Sequence, residues 1–353
     1  MAEFAAAVLG SAVATAFGTS VNANCDALLA GRTAFRAPEH FDARGRLLGI
    51  DPDLDPGRGS RFFRLLAKLR DATEFALPAG TRLFLATTVG AIDLMESGTS
   101  GDTVDAALRE AERIFGLPDA TLVSAACASG QSAIGLAMRQ LAAGTCRRAL
   151  VIGADIASEF VTAGFASLGA LSPAVCRPYD RGRDGLTLGE AAAAVLLAPA
   201  AEDAPRRILR CAGNCDAAHI TAPDLEGKVL RRAIAQALGD APAAGIIGHG
   251  TGTVYNDQAE VAALQAVFPD GMPPLFSLKG NFGHTLGATG VLQAVLGLEF
   301  AARRQLPPQA GLREAMPGAA VAAVARTLGA PARLLSLNVG FGGLNSALLL
   351  EAS

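Results

Sequence analysis

Apolar residues recur along this chain in two alternating patterns: short runs, and longer stretches with helical spacing. Arg82-Leu83-Phe84-Leu85-Ala86-Thr87, Arg148-Ala149-Leu150-Val151-Ile152-Gly153, Gly245-Ile246-Ile247-Gly248, Pro274-Leu275-Phe276-Ser277-Leu278 and Leu334-Leu335-Ser336-Leu337-Asn338-Val339 are short runs that predict buried strands. Between them, Ser129 to Ala143 carries Ile134, Leu136, Ala137 and Leu141 at helical spacing and stops at Gly144. A second such stretch begins at Ala288-Thr289-Gly290 and places Leu292, Val295, Leu296, Leu298 and Phe300 on one helix. Phe4 to Phe17, followed by Thr19, Asn22, Asn24 and Asp26, predicts a first strand and helix. Apolar strands alternating with helices predict an α/β fold with a largely parallel sheet covered on both faces.

A coarse repeat runs through this pattern. Ala128-Ser129-Gly130 and Ala288-Thr289-Gly290 each open a helix, and each follows a reactive side chain, Cys127 in one case and His284 in the other. The helices are followed by Arg147-Arg148 and Arg333, which lead into strands. Read as a duplication, this predicts two pseudo-equivalent halves, 1–205 and 206–353, with the site at their seam. The change-over falls at Pro199 to Pro205, where Ala200-Ala201-Glu202-Asp203-Ala204 lacks structure signals. Chance similarity between two Ala-rich helices is the competing explanation, since the shared motif is short.

Composition narrows the function classes. The 353 residues are 51% hydrophobic, with 40 Gly and no Trp, a profile suited to helices packed tightly on buried strands. A net charge of −3 without a long basic run points away from nucleic acid. The apolar start resembles a secretory leader, but Met1-Ala2-Glu3 lacks the Lys or Arg such a leader needs. No uninterrupted apolar run approaches the ~18 residues of a membrane span. Six cysteines without disulfide-framework spacing favour a reducing, cytoplasmic setting.

The candidate chemistry sits in three distant stretches of small residues. Ala125-Ala126-Cys127-Ala128-Ser129-Gly130 places a thiol at a strand-to-helix turn, where a helix N-terminus stabilises thiolate and backbone amides can bind an oxyanion. Gly248-His249-Gly250-Thr251-Gly252-Thr253 puts an imidazole at a strand end, with two hydroxyls able to grip an amide-bearing ligand. Lys279-Gly280-Asn281-Phe282-Gly283-His284 sets an ammonium beside a second imidazole, which discourages protonation of that ring. Asp257 and Glu260 follow the threonines and could balance the Lys279 charge. A thiol with bases gathered by folding suits covalent acyl chemistry.

These motifs, with Gly340-Phe341-Gly342-Gly343 and the segments Arg177-Pro178-Tyr179-Asp180, Arg183-Asp184-Gly185 and Leu188-Gly189-Glu190, resemble the elongating β-ketoacyl-acyl-carrier-protein synthases. The resemblance runs over most of the chain, thinly before Arg82 and densely from Ser124. It implies a thiolase-like fold, layered α-β-α-β-α and usually dimeric. It further implies that Cys127 takes an acyl chain from acyl carrier protein, and that His249 and His284 bond the malonyl thioester and promote decarboxylation. The amides of Cys127 and Phe341 would form the oxyanion hole, with Phe341 also gating entry. Thr251 and Thr253 would hold the phosphopantetheine arm, and Lys279, Asp257 and Glu260 would set the electrostatics. No metal is implied, and no cofactor beyond the carrier's phosphopantetheine. Starter enzymes of the superfamily resemble Cys-His-Asn, so His284 points to the elongating class. The alternative is a heterodimer subunit, acting as acyltransferase or as chain-length-determining partner; such partners typically lack the nucleophile.

Several features depart from that family pattern or compete with it. The chain is short for the family before Cys127 and between Cys127 and His249, and Val339 and Leu344 replace an aromatic and a threonine. Phe165 resembles either a second gating position or plain core packing. Cys211, Cys215 and His219 have ligand-like spacing but lack a fourth ligand. Arg61, Arg64, Lys68 and Arg70 form a basic helical face that either docks an acidic carrier or is simply solvated.

Overall fold

Ten strands form the frame of the molecule, and they fall into two sets of five with one plan. The computed structural model describes residues 4–54, 59–99, 101–201 and 203–353. Met1-Ala2-Glu3 and Glu202, which entered the reading of the N-terminus and of the change-over, lie outside the described residues. The first set comprises β1 (Ala6–Thr15), β2 (Arg82–Ala86), β3 (Thr121–Val123), β4 (Ala149–Asp155) and β5 (Ala191–Pro199). The second comprises β6 (Arg206–Cys215), β7 (Gly245–Ile247), β8 (Leu275–Phe276), β9 (Arg333–Gly340) and β10 (Leu344–Ala352).

Within each set the spatial order is third, second, fourth, fifth, first. The pairings agree as well: β2 is parallel to β3 and β4, and β7 is parallel to β8 and β9. The fifth strand of each set is antiparallel to both its neighbours. The two sets join where Ala6 pairs with Ile208 and Ala7 with Arg207 at their edges. Each set is therefore mixed, which corrects the expectation of a largely parallel sheet. In the second set the reversal is a tight one, because β9 and β10 are joined by Phe341-Gly342-Gly343 with both glycines at positive φ.

Helices fill three layers around these strands. The helices α1 (Arg61–Asp71) and α2 (Thr103–Phe115) cover one face of the first set, with Leu65, Leu66, Leu69, Ala107 and Phe115 packed on Leu83, Leu85, Leu150 and Ile152. The helix α3 (Ser129–Ala142) lies on the opposite face, and alternate strand residues Phe84, Ala86, Ala149 and Val151 point towards it. It shares that middle layer with the helix of Thr289–Arg303, and both touch strands of both sets. On the far side, the helices of Lys228–Leu238 and Val254–Val267 cover Ile246, Leu335, Leu337 and Leu349. The result is the expected α-β-α-β-α order with two pseudo-equivalent halves.

The middle layer owes its tightness to two glycines. A Cβ on Gly130 would stand 2.9 Å from Gly290 Cα and 2.8 Å from Val291 N, and one on Gly290 would stand 2.4 Å from Gln131 N. The two helices cross backbone to backbone at their first turns, so the residues preceding them, Cys127 and His284, converge.

Four strands, β3, β5, β6 and β10, are not among those the sequence pattern predicts. In β5, Ala191-Ala192-Ala193-Ala194 has weak strand propensity, but helices cover both faces and every side chain there is buried. The strands β6 and β10 are held chiefly by pairing with each other, a long-range fact that local patterning does not carry.

Candidate active site

Each reactive side chain sits where a strand hands over to a helix or a turn. After β3 the chain turns sharply, with Ala126 at φ 48°, and presents Cys127 just before α3. Ser129 pins this turn: its hydroxyl donates to Ala126 O at 2.5 Å and accepts from Ala125 N at 2.8 Å. Gly340 packs against the same turn, since a Cβ there would fall 3.0 Å from Ala125 O and 3.3 Å from Cys127 N. The chain leading to Phe341 therefore abuts the Cys127 amide.

His249 follows β7 and heads a loop whose amides are collected by two carboxylates. Glu260 accepts from His249 N at 2.5 Å and from Gly250 N at 2.8 Å, while Asp257 accepts from Thr251 N at 2.9 Å and from Gly252 N. Asp257 and Glu260 are thus first of all anchors of the loop backbone, and charge partners of Lys279 second. Tyr179 completes the support, donating from its hydroxyl to Glu260 at 2.8 Å and from its amide to Asp257 at 2.8 Å. Its ring fills the space where Gly248 and Gly250 lack side chains; a Cβ on Gly248 would stand 1.9 Å from the Tyr179 hydroxyl.

Both rings have their inner nitrogen occupied. Lys279 Nζ lies 3.3 Å from His249 Nδ1 and also donates to the His249 carbonyl. His284 Nδ1 accepts from the Leu286 amide at 3.2 Å, and Thr289 Oγ1 lies 3.4 Å away. An amide can only donate, so His284 carries its proton on Nε2. The ammonium dictates the same tautomer for His249. Burial first, then the charge of Lys279, holds both imidazoles well below their ordinary pKa, so both are neutral. Their centroids are 5.4 Å apart and the planes nearly perpendicular.

One cavity of about 410 Å³ is lined by Cys127, His249, His284, Thr251, Thr253, Phe165 and Phe341. Lys279 lies behind His249, outside that lining and buried. Thr251 and Thr253 hold their hydroxyls 2.9 Å apart. The rings of Phe165 and Phe341 are 5.7 Å apart, so Phe165 is part of the cavity wall and not simple core packing. Leu168, Ile220, Val254 and Tyr255 line the same cavity and remain exposed, which marks its mouth.

Two expectations are corrected. Burial pushes the Cys127 thiol up to about 12, with Lys279 opposing and Asp155 reinforcing the shift. Desolvation thus works against the thiolate that the helix N-terminus favours. The basic helix is also not a free docking face. Arg61 is 3% exposed and locked to the buried Glu190, and Lys68 bridges Asp51 at 2.8 Å and Asp53 at 2.9 Å. Arg64 donates to the carbonyls of Gly59 and Leu54.

Cys211, Cys215 and His219 bond separately, to Gln131 O, Gly342 O and the amides of Thr221 and Ala222. Among the described residues no group of three or more His, Cys, Asp or Glu could hold a metal, and no helix is long and apolar enough to cross a membrane.

Sequence reading missed Tyr179 as a support and missed Asp155 entirely. Asp155 ends β4, fully buried, and accepts from Thr87 Oγ1 at 2.7 Å, Thr88 N at 3.0 Å and Gly287 N at 2.7 Å. A lone carboxylate at the end of an unbroken apolar strand was the available signal.

Comparison with known proteins agrees with this geometry. Residues 119–203 match the β-ketoacyl synthase N-terminal domain and residues 206–313 the C-terminal domain. A putative polyketide β-ketoacyl synthase 1 of Streptomyces cyaneus is 31% identical over 98% of this chain and 97% of its own length. The 3-oxoacyl-[acyl-carrier-protein] synthase 2 of Mycobacterium leprae is 31% identical over 63% of this chain, and the match spans only 58% of that relative. Among solved structures, the ishigamide ketosynthase/chain length factor superposes with a TM-score of 0.85 over the whole of both chains, at 27% identity. The chain belongs to the β-ketoacyl synthase family.

Proposed function

We propose that this protein catalyses the decarboxylative condensation of an acyl chain held on Cys127 with a malonyl group on acyl carrier protein. In the first half-reaction Cys127 Sγ attacks the acyl thioester, the bond to the carrier's sulfur breaks, and the Cys127 proton ends on the released carrier thiol. Exchange of one thioester for another leaves no net charge in the buried site, which suits a thiol held protonated at rest. Malonyl carrier then enters, its arm gripped by Thr251 and Thr253 and its passage gated by Phe341 and Phe165.

Loss of CO₂ moves an electron pair into the thioester, building charge on its oxygen. His249 and His284, each with Nε2–H free, donate to that oxygen; neutral preorganised donors stabilise the enolate more than the ground state. The enolate carbon attacks the acyl carbonyl on Cys127. The amides of Cys127 and Phe341 hold the resulting oxyanion, whose collapse breaks the C–S bond. A 3-oxoacyl carrier leaves, and the freed thiolate takes up one proton.

The observation that carries this reading is the meeting of one thiol and two Nε2-protonated imidazoles in a single cavity. No metal and no cofactor beyond the carrier's phosphopantetheine enters the scheme, and six free thiols suit a reducing cytoplasm. Presence of the nucleophile and both imidazoles favours the active subunit over a chain-length-determining partner. A homodimer or heterodimer could form at β3, the outermost strand of its set. The test is mass spectrometry of the enzyme after acyl carrier, followed by malonyl carrier. Acyl mass on Cys127 and release of a 3-oxoacyl carrier support the reading; hydrolysis or acyl transfer without condensation sinks it.

A further inference from the structure

The large apolar side chains that stand exposed gather at one place, the mouth of the cavity that holds Cys127. Leu168, Ile220, Val254 and Tyr255 all line that cavity, yet Ile220 is 76% exposed and Tyr255 62%. They come from three segments. Leu168 ends the helix Glu159–Ser167, which carries Phe165; Ile220 lies in the loop after β6; Val254 and Tyr255 open the helix that follows Thr253.

The backbone beneath them is tied down. The Ile220 carbonyl accepts from the Gly342 amide at 2.7 Å, beside Phe341. His219 Nδ1 accepts from the Thr221 and Ala222 amides at 3.1 and 3.2 Å, and the Val254 carbonyl accepts from Arg183 at 3.0 Å. Apolar side chains held outward on an ordered backbone mark a contact surface, and a preformed surface loses less entropy on binding.

Charge points the same way. The cavity lining includes Asp184 and Asp216 but, among the described residues, neither Lys nor Arg. The two guanidiniums that adjoin the rim are engaged: Arg183 donates to the carbonyls of Thr253, Val254 and Asp180, and Arg177 lies against Asp180 and Asp184.

We propose that Leu168, Ile220, Val254 and Tyr255 form a docking collar through which this chain grips acyl carrier protein by apolar contact and not by charge. The inference rests on the condensation reading above. A carrier whose arm passes Thr251 and Thr253 to reach Cys127 sets its own surface against this rim. The partner that fits is therefore a carrier with apolar side chains around the attachment point of its arm.

The test measures the second-order rate of Cys127 loading, by intact mass, from acyl carrier protein and from an acyl-pantetheine thioester that lacks the protein. Ile220→Ser and Tyr255→Ser are compared with the parent at 50 and 500 mM NaCl. Each substitution should slow loading from the carrier roughly tenfold and loading from acyl-pantetheine by less than about threefold. The tenfold step in salt should change the parent's rate with the carrier by less than about twofold, since no basic rim is there to be screened. A carrier rate that falls tenfold with salt, or that ignores both substitutions, overturns the inference. Equal losses with both thioesters overturn it too, by assigning these residues to the arm. If the substitutions instead split an oligomer in sedimentation equilibrium while carrier loading stays parent-like, the surface belongs to a second copy of the chain and the inference falls. A parent protein that loads from neither thioester sinks the condensation reading itself, and the inference with it.

Discussion

The two halves share one strand plan yet, in the proposed mechanism, take opposite parts in the chemistry, and the difference lies in one connection. Between β3 and α3 the first half spends five residues, 124–128, enough for one sharp turn and one thiol. Between β8 and the helix at Thr289 the second half spends twelve, 277–288. The longer connection winds a short helical turn that carries Lys279, then swings His284 into the cavity with Leu286 at φ 50°. A common scaffold thus places two helix starts side by side, and loop length decides whether a start offers a nucleophile or a hydrogen-bond donor.

The sharpest way to break this division of labour is to remove its members one half at a time. Cys127→Ala should abolish acyl loading altogether, read as intact mass after exposure to acyl carrier. Loading that persists at another residue would end the assignment. On the other side, His249→Ala and His284→Ala should each keep loading and lower condensation by about 10²–10³-fold, the usual cost of one oxyanion donor. Should either variant lose loading to the same degree, the halves would not be separable in the way drawn here.

Much of this is legible in the sequence. The Cys127, His249 and His284 motifs, the Ala-[Ser/Thr]-Gly helix starts and six strands follow from apolar patterning and from small residues clustered around reactive ones. What stayed hidden depends on distance in space. The thiol's pKa is raised chiefly by burial, which the whole fold creates. Arg61 reads as a surface charge in an amphipathic helix, but its partner Glu190 lies far along the chain. Asp155 looks unremarkable in sequence because its partners, Thr87, Thr88 and Gly287, lie far from it along the chain. The Ala-rich β5 shows the limit of propensity: a strand covered on both faces needs only to fit, and alanine fits between two tightly packed helical layers.

Traffic between the halves is uneven, and a smaller effect measures it. Asp155, from the first half, accepts the Gly287 amide and so tethers the turn that bears His284. Burial raises its carboxyl to about 6, against the hydrogen bonds from Thr87, Gly287 and Thr88 that favour ionisation. A carboxyl raised in the folded state favours folding below its unfolded pKa near 4, and that contribution is lost as pH rises through about 6. The difference of about two units corresponds to about 3 kcal/mol. Denaturant unfolding of the parent protein and Asp155→Asn at pH 4 and pH 7 should show the parent losing about that much relative to the variant. Two parallel stability curves would mean that Asp155 is not titrating in the fold.

Tyr179 gives the finest test of the same asymmetry, because it too belongs to the first half and serves the second. Its hydroxyl bonds Glu260, whose other contacts hold the His249 and Gly250 amides, and its ring occupies the space left by Gly248 and Gly250. Tyr179→Phe keeps the ring and removes one hydrogen bond to a buried acid, a loss of about 1.5–3 kcal/mol if that acid is ionised and about 1 kcal/mol if it is not. Burial raises Glu260, so the smaller figure should apply at low pH and the larger at high pH. With the His249 loop still tethered through Glu260 and Asp257, kcat should fall by less than about tenfold and Cys127 loading should not change. A loading defect in Tyr179→Phe would show instead that support runs from the His249 loop back to the nucleophile, and the separation of loading from the His249 loop would have to be given up.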